Sequence, residues 1–348
     1  MSRLTIDLDA LAHNHAILTA ASPSAQVAPV IKADGYGLGA GPVARRLWAQ
    51  GARTFFIARL EEGEALRHEL GARDAAIMVL DGLTPGSAGR LRAAGLTPVL
   101  NAMDQVAEWT GDDLVLHFDT GMNRMGLSAA DARALAAAGV QPGLIMSHLG
   151  SAADPADPRN ALQLARFKAI TALFPAARAS LAASSGIYLG PDYHFDMVRP
   201  GISLFGGGPR EVPDPDFRAV ATLTAPILQF RDLKGGDQAG YGSTFTAPHD
   251  MRLVSLGCGY ADGILRTAHK GGAVAYVKGR AAPFVFVTMD LIAVDVSSHP
   301  PLRIGDAVEL LGDNAPLDDL AAAAGSVAHE CLVRLGSRGV REFVGPDK

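Results

Sequence analysis

A lysine lies where a buried strand is expected to end. The segment VAPVIKADGYGLG opens with the apolar run 27–31, and Lys32 is followed by several glycines and by Tyr36. A lysine sheltered at the end of a strand has a depressed pKa and can form an imine with a carbonyl compound. Glycines beside it let backbone amides approach a bulky anion, because no Cβ stands in the way. Taken alone, such a lysine is more often simply solvated.

Further polar side chains follow later apolar runs of the same half of the chain. They are Asp119, Arg124, His148, Ser184, Ser185 and Arg199. The segments SSG (184–186) and PGISLFGGG (200–208) supply hydroxyl groups and backbone amides suited to a phosphate. A lysine beside a phosphate cup predicts pyridoxal 5'-phosphate, the common cofactor that a lysine holds as an imine.

The elements that carry these residues alternate between short apolar runs and longer stretches rich in Ala, Leu and Arg. The predicted strands are 27–31, 54–58, 76–80, 97–100, 114–118, 144–148, 178–182 and 195–199. Eight such units predict an α/β fold, a (β/α)8 TIM-like barrel, with a doubly wound open sheet as the alternative. In a barrel, the polar residues at the strand ends would meet on one rim.

The character of the sequence changes near residue 218. Strand-like segments such as MRLVSLGCGY and APFVFVTM follow one another closely and are separated by Gly, Pro and Asp. This pattern predicts a mainly antiparallel β domain, with one or two short helices within 316–338. We therefore divide the chain into a barrel domain, residues 1–217, that binds the cofactor, and a C-terminal β domain, residues 218–348.

Composition excludes several classes of protein. The 348 residues carry a formal net charge of -5 and no long basic run, which argues against nucleic acid as a partner. Cys258 and Cys331 are too few for a disulfide framework and lack metal-ligand spacing, so no metal is expected. The N-terminus has charges where a signal peptide needs an apolar stretch, and no segment is long enough to span a bilayer. A cytoplasmic location is expected, with no membrane partner.

At this point the sequence resembles alanine racemase, the fold-type III pyridoxal-phosphate family. The similar segments in the first half are VIKADGYGLG, DTGMNRMG, MSHLGSAAD and MVRPGISLFG, and YGSTF, GYADG and TMD follow in order. The resemblance extends from about residue 4 to 342. It implies a barrel, a β domain and a head-to-tail homodimer whose active sites use residues of both chains.

The resemblance also implies two catalytic bases. Lys32 would hold the cofactor and act on one face of the substrate, and Tyr260 of the partner subunit would act on the other. Racemisation removes the α-proton on one side and returns a proton on the other, so two opposed acid–base groups suit it. Arg199 would face the pyridine nitrogen and, by keeping its own proton, make the ring a weaker electron sink. That arrangement favours racemisation over transamination.

The remaining site residues are carried over from the matching motifs. The cofactor would be bound by Lys32, Tyr36, Arg124, His148, Ser185, Arg199, Gly201 and Ile202. The substrate carboxylate would be bound by Arg124 and by the backbone amide of the partner subunit's Met289. Asp290 would support the loop that carries this amide, and a cationic neighbourhood of His148 and Arg199 would favour the phenolate of the tyrosine.

Two departures from the family pattern bear on this site. His117 stands where many members have a carbamylated lysine that orients the arginine, so Arg124 would be positioned by a bound anion such as chloride or by Asp119. Ser337 stands where a tyrosine anchors the phosphate, which predicts weaker cofactor retention unless Arg338 or a water compensates.

Other functions stay open from the sequence. A racemase of broader specificity, acting on serine, lysine or arginine, is the near alternative. The β domain argues against a pyridoxal-phosphate carrier built on the barrel alone, and Arg199 argues against a decarboxylase. A zinc-assisted lyase would need a metal pair near the C-terminus, but we interpret His329 and Cys331 as structural. The physiological role, D-alanine biosynthesis for peptidoglycan precursors or D-amino-acid catabolism, is also open.

Overall fold

The computed structural model describes residues 1–109, 113–336 and 338–346. The described chain forms two compact units. The barrel unit comprises Leu11–Leu204 and Gly208–Arg210, and the β unit comprises Met1–Ala10, Phe205–Gly207 and Glu211–Pro346. Ser337 stands where the resemblance implies a phosphate-anchoring tyrosine, and it lies outside the described residues.

Strands and helices occupy most of both units. The strands are β1 (Arg3–Asp7), β2 (Gln26–Val27), β3 (Thr54–Ile57), β4 (Ala76–Val79), β5 (Leu96–Leu100), β6 (Val115–His117), β7 (Leu144–Met146), β8 (Arg178–Ala183), β9 (Met197–Arg199), β10 (Ala221–Leu233), β11 (Gln238–Ala239), β12 (Phe245–Thr246), β13 (Met251–Leu256), β14 (Val274–Val277), β15 (Arg280–Val287), β16 (Ile292–Asp295), β17 (Ala307–Leu311) and β18 (Val340–Val344). The helices are α1 (Leu8–Ala21), α2 (Lys32–Tyr36), α3 (Ala40–Ala49), α4 (Leu60–Leu70), α5 (Ala88–Ala93), α6 (Met103–Glu108), α7 (Ala129–Ala137), α8 (Pro158–Thr171), α9 (Ser184–Ile187), α10 (Leu317–Ala324) and α11 (Ala328–Arg334). Short 3-10 turns include Ile202–Phe205 and Tyr260–Asp262.

The barrel unit is built on one parallel eight-stranded sheet. Its order is β2-β9-β8-β7-β6-β5-β4-β3, and a parallel bridge between Val30 and Phe56 joins the two ends of the sheet. The bridge closes the sheet, so the predicted (β/α)8 barrel is confirmed and the open doubly wound alternative is wrong. Each of the eight predicted strands overlaps one observed strand. The carboxyl ends of these strands form the rim on which a barrel carries its active site.

The strands of the barrel are apolar because both of their faces are covered. All four residues of β3 are buried, and Phe56 packs with residues of several other strands, among them Val99 and Met197. Parallel strands buried on both faces read as continuous apolar runs rather than as alternating ones. β8 has a weaker signal, since it begins with Arg178, and it is held by pairing with β7 and β9.

The β unit contains the predicted antiparallel domain. Six of its strands follow the order β13-β16-β15-β14-β17-β10, and an additional β10–β13 pairing closes them into a ring. β1 extends this sheet, antiparallel to β10 and parallel to β18. The first ten residues therefore belong to the β unit, although they precede the barrel in sequence. α10 and α11 are the short helices expected near the C-terminus. No helix in the described part of the chain combines the length and apolarity needed to cross a bilayer.

Candidate active site

The backbone that follows Lys32 makes a left-handed turn. Ala33, Asp34, Gly35, Tyr36 and Gly37 have φ angles from 53° to 81°, so most of α2 is not a right-handed helix. An L-residue in this conformation costs about 1–2 kcal/mol, and three of the five carry a Cβ. Strain of this kind persists only where surrounding contacts over-determine the conformation, and it is typical of functional sites.

Lys32 itself is only partly exposed to solvent. Burial lowers the pKa of its amine, and the positive charge of Arg124 lowers it further. The negative charges of Glu62 and Asp81 act in the opposite direction but do not cancel the shift. An amine with a lowered pKa has a larger unprotonated fraction near neutral pH, so more of it is available to act as a nucleophile or to accept a proton.

Arg199, the last residue of β9, is a buried cation inside the barrel. Its guanidinium donates hydrogen bonds to the Ser180 hydroxyl, to the Ser147 carbonyl and to the Leu181 carbonyl. Burial lowers the pKa of Arg199 to about 9, so the side chain keeps its charge at neutral pH. A guanidinium has five N–H donors, and these three hydrogen bonds leave donors for a further acceptor.

His117 has a tautomer that its neighbours define. The amide nitrogen of Asn101 donates to the carbonyls of Val99 at 2.7 Å and Leu80 at 3.0 Å, so the amide oxygen faces His117 Nδ1 at 2.7 Å as an acceptor. Nδ1 must then carry the proton, and the neutral ring keeps its lone pair on Nε2. His117 thus supplies an acceptor and no negative charge at the position where the resemblance implies a carbamylated lysine in many family members.

His117 and His148 are both neutral at physiological pH. Burial lowers the pKa of His117 to about 4 and that of His148 to about 3, and the charges of Arg199 and Arg124 add to both shifts. The expected cationic neighbourhood therefore depends on the arginines and receives no charge from His148.

These lowered pKa values predict a loss of stability in acid. As the pH falls below 6.5, these histidines take up protons in the unfolded chain before they do so in the folded protein. The free energy of unfolding is therefore highest above pH 6.5 and declines down to about pH 4 for His117 and about pH 3 for His148. We expect a loss of at most about 1.4 kcal/mol per pH unit and histidine, measured by denaturant unfolding between pH 7 and 5. His117→Asn should reduce the slope, and the exposed His68→Asn should not; equal slopes in all three proteins would contradict the prediction.

Asp119 fixes the loop that carries Arg124. Its carboxylate accepts the backbone N–H groups of Gly121 at 2.8 Å, Met122 at 2.9 Å and Asn123 at 3.0 Å. These bonds organise the loop immediately before the exposed Arg124. Asp119 therefore positions Arg124 through the backbone.

A small-residue cup lies between the lysine turn and the turn after β9. The Ser184 hydroxyl accepts the N–H groups of Gly201 at 3.0 Å and Ser203 at 3.3 Å. A Cβ at Gly201 would overlap the hydroxyl of Tyr36, so only glycine fits there. Burial raises the pKa of Tyr36, which keeps its hydroxyl a donor. The Ser203 hydroxyl is buried and has no hydrogen-bond partner among the described residues.

These residues fit a phosphate group. The unpartnered buried hydroxyl of Ser203 and the protonated hydroxyl of Tyr36 are donors of the kind that an anion requires, and the absence of a Cβ at Gly201 makes room for the Tyr36 hydroxyl. Ile202 is buried in the same turn, and Ser185 lies partly exposed at the start of α9. The amide of Gly201, expected to line the phosphate, is instead hydrogen bonded to Ser184.

Gly201→Ala is expected to weaken cofactor binding by roughly tenfold or more. The added methyl would displace Tyr36, overpacking of this kind costs about 1–3 kcal/mol, and 1.4 kcal/mol corresponds to tenfold in affinity. Titration of the apoprotein with pyridoxal phosphate measures the effect. Gly89→Ala, in a helix with open space around it, is the matched control. An unchanged affinity in Gly201→Ala would show that the overlap is relieved at no cost.

Tyr260 and Met289 lie together in the β unit. Tyr260 begins a 3-10 turn. Its N–H donates to the Thr288 carbonyl at 2.9 Å, and the N–H of Ala261 donates to the Met289 carbonyl at 2.9 Å. The Asp262 carboxylate closes the turn by accepting the Gly259 N–H at 2.9 Å. The structure thus brings together the two β-unit residues predicted for the site, and both side chains are exposed in the single chain.

Arg338 joins the two segments that carry these residues. Its guanidinium contacts Asp290 at 2.8 Å and lies 3.9 Å from Asp262. Asp290 is therefore paired within the β unit, beside Met289, as expected for a residue that supports that loop. Because Arg338 is engaged here, it is a poor candidate to replace the missing phosphate-anchoring tyrosine.

Sequence reasoning missed Asn101, which fixes the tautomer of His117, and did not single out Ser203, whose buried hydroxyl has no hydrogen-bond partner among the described residues. Ser184, which the sequence had suggested, shapes the cup by accepting the N–H groups of Gly201 and Ser203. Asn101 directly follows β5, so the strand-end criterion that selected Lys32 would also have selected it. Among the described residues, no group of His, Cys, Asp and Glu side chains could hold a metal ion.

Comparison with known proteins assigns both units. The family model "Alanine racemase, N-terminal domain" matches residues 6–209, and "Alanine racemase, C-terminal domain" matches residues 220–343. A curated alanine racemase from Methylobacterium nodulans is 46% identical, with 99% of this chain and 96% of that protein covered.

Solved structures show the same fold. An alanine racemase from Bartonella henselae with covalently bound pyridoxal phosphate is 32% identical, with a TM-score of 0.92 and 99% of each chain covered. The biosynthetic alanine racemase of Pseudomonas aeruginosa is 33% identical, also with a TM-score of 0.92 and 99% of each chain covered. With a strained lysine turn at the rim of the barrel and matches to both domain models and to relatives over nearly its full length, this chain belongs to the alanine racemase family.

Proposed function

We propose that this protein is a pyridoxal-phosphate-dependent racemase that interconverts L-alanine and D-alanine. The observation that carries the proposal is Lys32, whose amine has a lowered pKa in the unit that also contains the phosphate cup and the buried Arg199. Such a lysine beside an anion site is the arrangement that holds this cofactor. Wall-precursor synthesis and D-alanine catabolism are both compatible with this reaction.

The cofactor would be held along the carboxyl rim of the barrel. Lys32 would bind its aldehyde carbon, and Arg199 would donate a hydrogen bond to the pyridine nitrogen. The phosphate would be bound by Tyr36, Ser185 and Ile202, to which we add Ser203, and Gly201 would line the cup while its amide donates to Ser184. Bound pyridoxal phosphate supplies an electron sink that acidifies the Cα–H bond of an amino acid. Arg199 would keep its own proton beside the ring nitrogen, which would leave that nitrogen unprotonated and favour return of a proton at Cα.

Two groups of this protein would move the α-proton. The amine of Lys32 would remove or return it on one face of the substrate, and the phenolic oxygen of Tyr260 of the partner subunit would do so on the other. Opposed acid–base groups allow the configuration to invert because the proton leaves and arrives on different sides.

The substrate carboxylate would be bound by Arg124 and by the amide of the partner subunit's Met289. Arg124 is exposed on a loop whose backbone Asp119 fixes, so its guanidinium can be placed before substrate arrives. Racemases of broader specificity would share these contacts, and alanine is favoured by the family to which the chain belongs.

We also propose a homodimer with shared active sites. Tyr260 and Met289 are 41% and 54% exposed as residues in the single chain, and the neighbouring Leu291 is exposed as well. Exposed apolar side chains that cluster on one loop pair mark an interaction surface. A second copy of the chain would cover them and receive Tyr260.

One experiment tests the function. Purified protein with pyridoxal phosphate should interconvert D- and L-alanine, with serine, lysine and arginine enantiomers as a comparison panel and circular dichroism or chiral chromatography as the readout. Turnover of alanine at least as fast as of the other amino acids supports the proposal. A faster turnover of serine, lysine or arginine would favour the broader-specificity racemase, and no turnover of any would refute both.

A further inference from the structure

Glu62 joins the lysine turn to the neighbouring barrel strand. It is the third residue of α4, and its Oε1 accepts the N–H of Ala33 at 2.9 Å. Its Oε2 accepts the N–H groups of Ala58 at 2.8 Å and Arg59 at 3.3 Å, directly after β3. One carboxylate therefore bridges the residue after Lys32 and the end of another strand.

The bridge requires a carboxylate. Both oxygens of an ionised glutamate accept hydrogen bonds, and each faces backbone N–H donors here. A glutamine would place an NH2 group against one set of those donors and so lose one end of the bridge. An aspartate would keep the charge, but its side chain is one methylene shorter.

The Ala33 end of the bridge is the strained one. Ala33 has φ 53° and begins the left-handed turn, whereas Ala58 and Arg59 lead into an ordinary helix. Within the turn, Asp34 accepts the Ala40 N–H at 2.8 Å, and this contact is internal to the 31–40 segment. Glu62 is thus the side chain that ties the start of the turn to a different βα unit, and its negative charge also opposes the effect of Arg124 on the lysine.

We propose that Glu62 is a positioning residue for Lys32, holding the left-handed turn so that the amine lies where it must condense with the aldehyde of pyridoxal phosphate. In that condensation the unprotonated lysine nitrogen would form a C=N bond to the aldehyde carbon, and the aldehyde oxygen would leave as water with the two hydrogens of the amine. The inference rests on the proposed function. It gives Glu62 no contact with the cofactor, so the phosphate cup should work without it.

Two probes distinguish covalent attachment of the cofactor to Lys32 from non-covalent binding of its phosphate in the cup. Pyridoxal phosphate can condense with Lys32, whereas pyridoxine 5'-phosphate carries an alcohol in place of the aldehyde and cannot. For Glu62→Gln apoprotein, we expect pyridoxine phosphate to bind as in the wild type. Pyridoxal phosphate should bind about tenfold more weakly, the effect of losing one charge-assisted hydrogen bond. The fraction of bound cofactor trapped on Lys32 by borohydride, read by peptide mass spectrometry, should fall.

Controls on the same helix make the test specific. Glu61→Gln removes an exposed glutamate that pairs with Arg90 at 3.2 Å, and it should match the wild type with both probes. Glu62→Asp should share the deficit of Glu62→Gln, and it serves as the test if the glutamine variant does not fold. Because aspartate keeps the negative charge, a deficit in Glu62→Asp would show that the length of the Glu62 side chain, and not its charge alone, sets the position of the lysine.

Several outcomes would overturn the inference. Wild-type behaviour of Glu62→Gln and Glu62→Asp with both probes would exclude a positioning role. Equal weakening of both probes would mean that Glu62 supports the cup or the fold in general. A wild-type protein that forms no adduct at Lys32 would refute the proposed function and the inference together.

Discussion

Lys32→Ala is expected to abolish racemisation and to leave the protein without covalently attached cofactor. The substitution removes the nucleophile and one of the two bases at once, so the turnover of alanine should fall by more than about 10⁴-fold. The phosphate cup does not include the lysine side chain, so pyridoxal phosphate should still bind reversibly, but without the visible absorbance of a lysine adduct. Absorbance spectra and peptide mass spectrometry after borohydride reduction measure both effects.

The matched control is Lys168→Ala on the outer helix α8. Lys168 pairs with Asp192 at 2.8 Å and is half exposed, so its removal should leave absorbance and turnover unchanged. A Lys32→Ala protein that still carried a borohydride-stable adduct would show that another lysine holds the cofactor. The assignment of Lys32 would then fail, whatever the residual activity.

Tyr260→Phe is expected to stop inversion while leaving cofactor attachment intact. The phenylalanine ring preserves the packing of the 3-10 turn but has no hydroxyl to exchange a proton, so interconversion should fall by about 10²–10⁴-fold. Lys32 remains, and the α-hydrogen of one enantiomer should still exchange with solvent. In deuterium oxide, the variant should label that enantiomer without converting it, which mass spectrometry and chiral chromatography can distinguish.

Tyr276→Phe in β14 is the control for loss of a tyrosine hydroxyl elsewhere in the β unit. Full racemisation by Tyr260→Phe in both directions, with solvent deuterium incorporated, would contradict a two-base mechanism. Mixing Tyr260→Phe with Lys32→Ala adds a test of the shared site. If each site takes Tyr260 from the partner subunit, mixed dimers should regain activity at the one site that has both residues.

The barrel could be predicted because its strands are short, apolar and regularly spaced. The run 54–58, for example, can be recognised as a strand from its own sequence, because β3 is buried on both faces and is apolar throughout most of its length. The rim could be predicted for the same reason, because Lys32 and Arg199 are among the polar residues at the ends of such runs. The resemblance to a known family then supplied the roles of these residues, which their positions alone do not determine.

Features that depend on contacts between distant segments could not be predicted. β1 and β18 are five-residue strands that pair with each other across the length of the chain, and their sequences do not encode that register. The acceptor role of Glu62 towards Ala33 arises only when α4 packs beside the lysine turn. The tautomer of His117 similarly depends on which way the amide of Asn101 points, and that follows from two strand carbonyls.

The left-handed turn has a consequence for how this sequence can change. Glycine occupies such φ values without a Cβ penalty, so at position 33 it would relieve strain. The chain has alanine there, which forgoes that stability and also narrows the conformations open to the backbone beside the lysine. At position 33, two requirements therefore conflict: a more stable fold favours glycine, and a rigid backbone beside the reactive amine favours alanine. Variants selected only for heat resistance would be drawn towards the substitution that loosens the catalytic lysine.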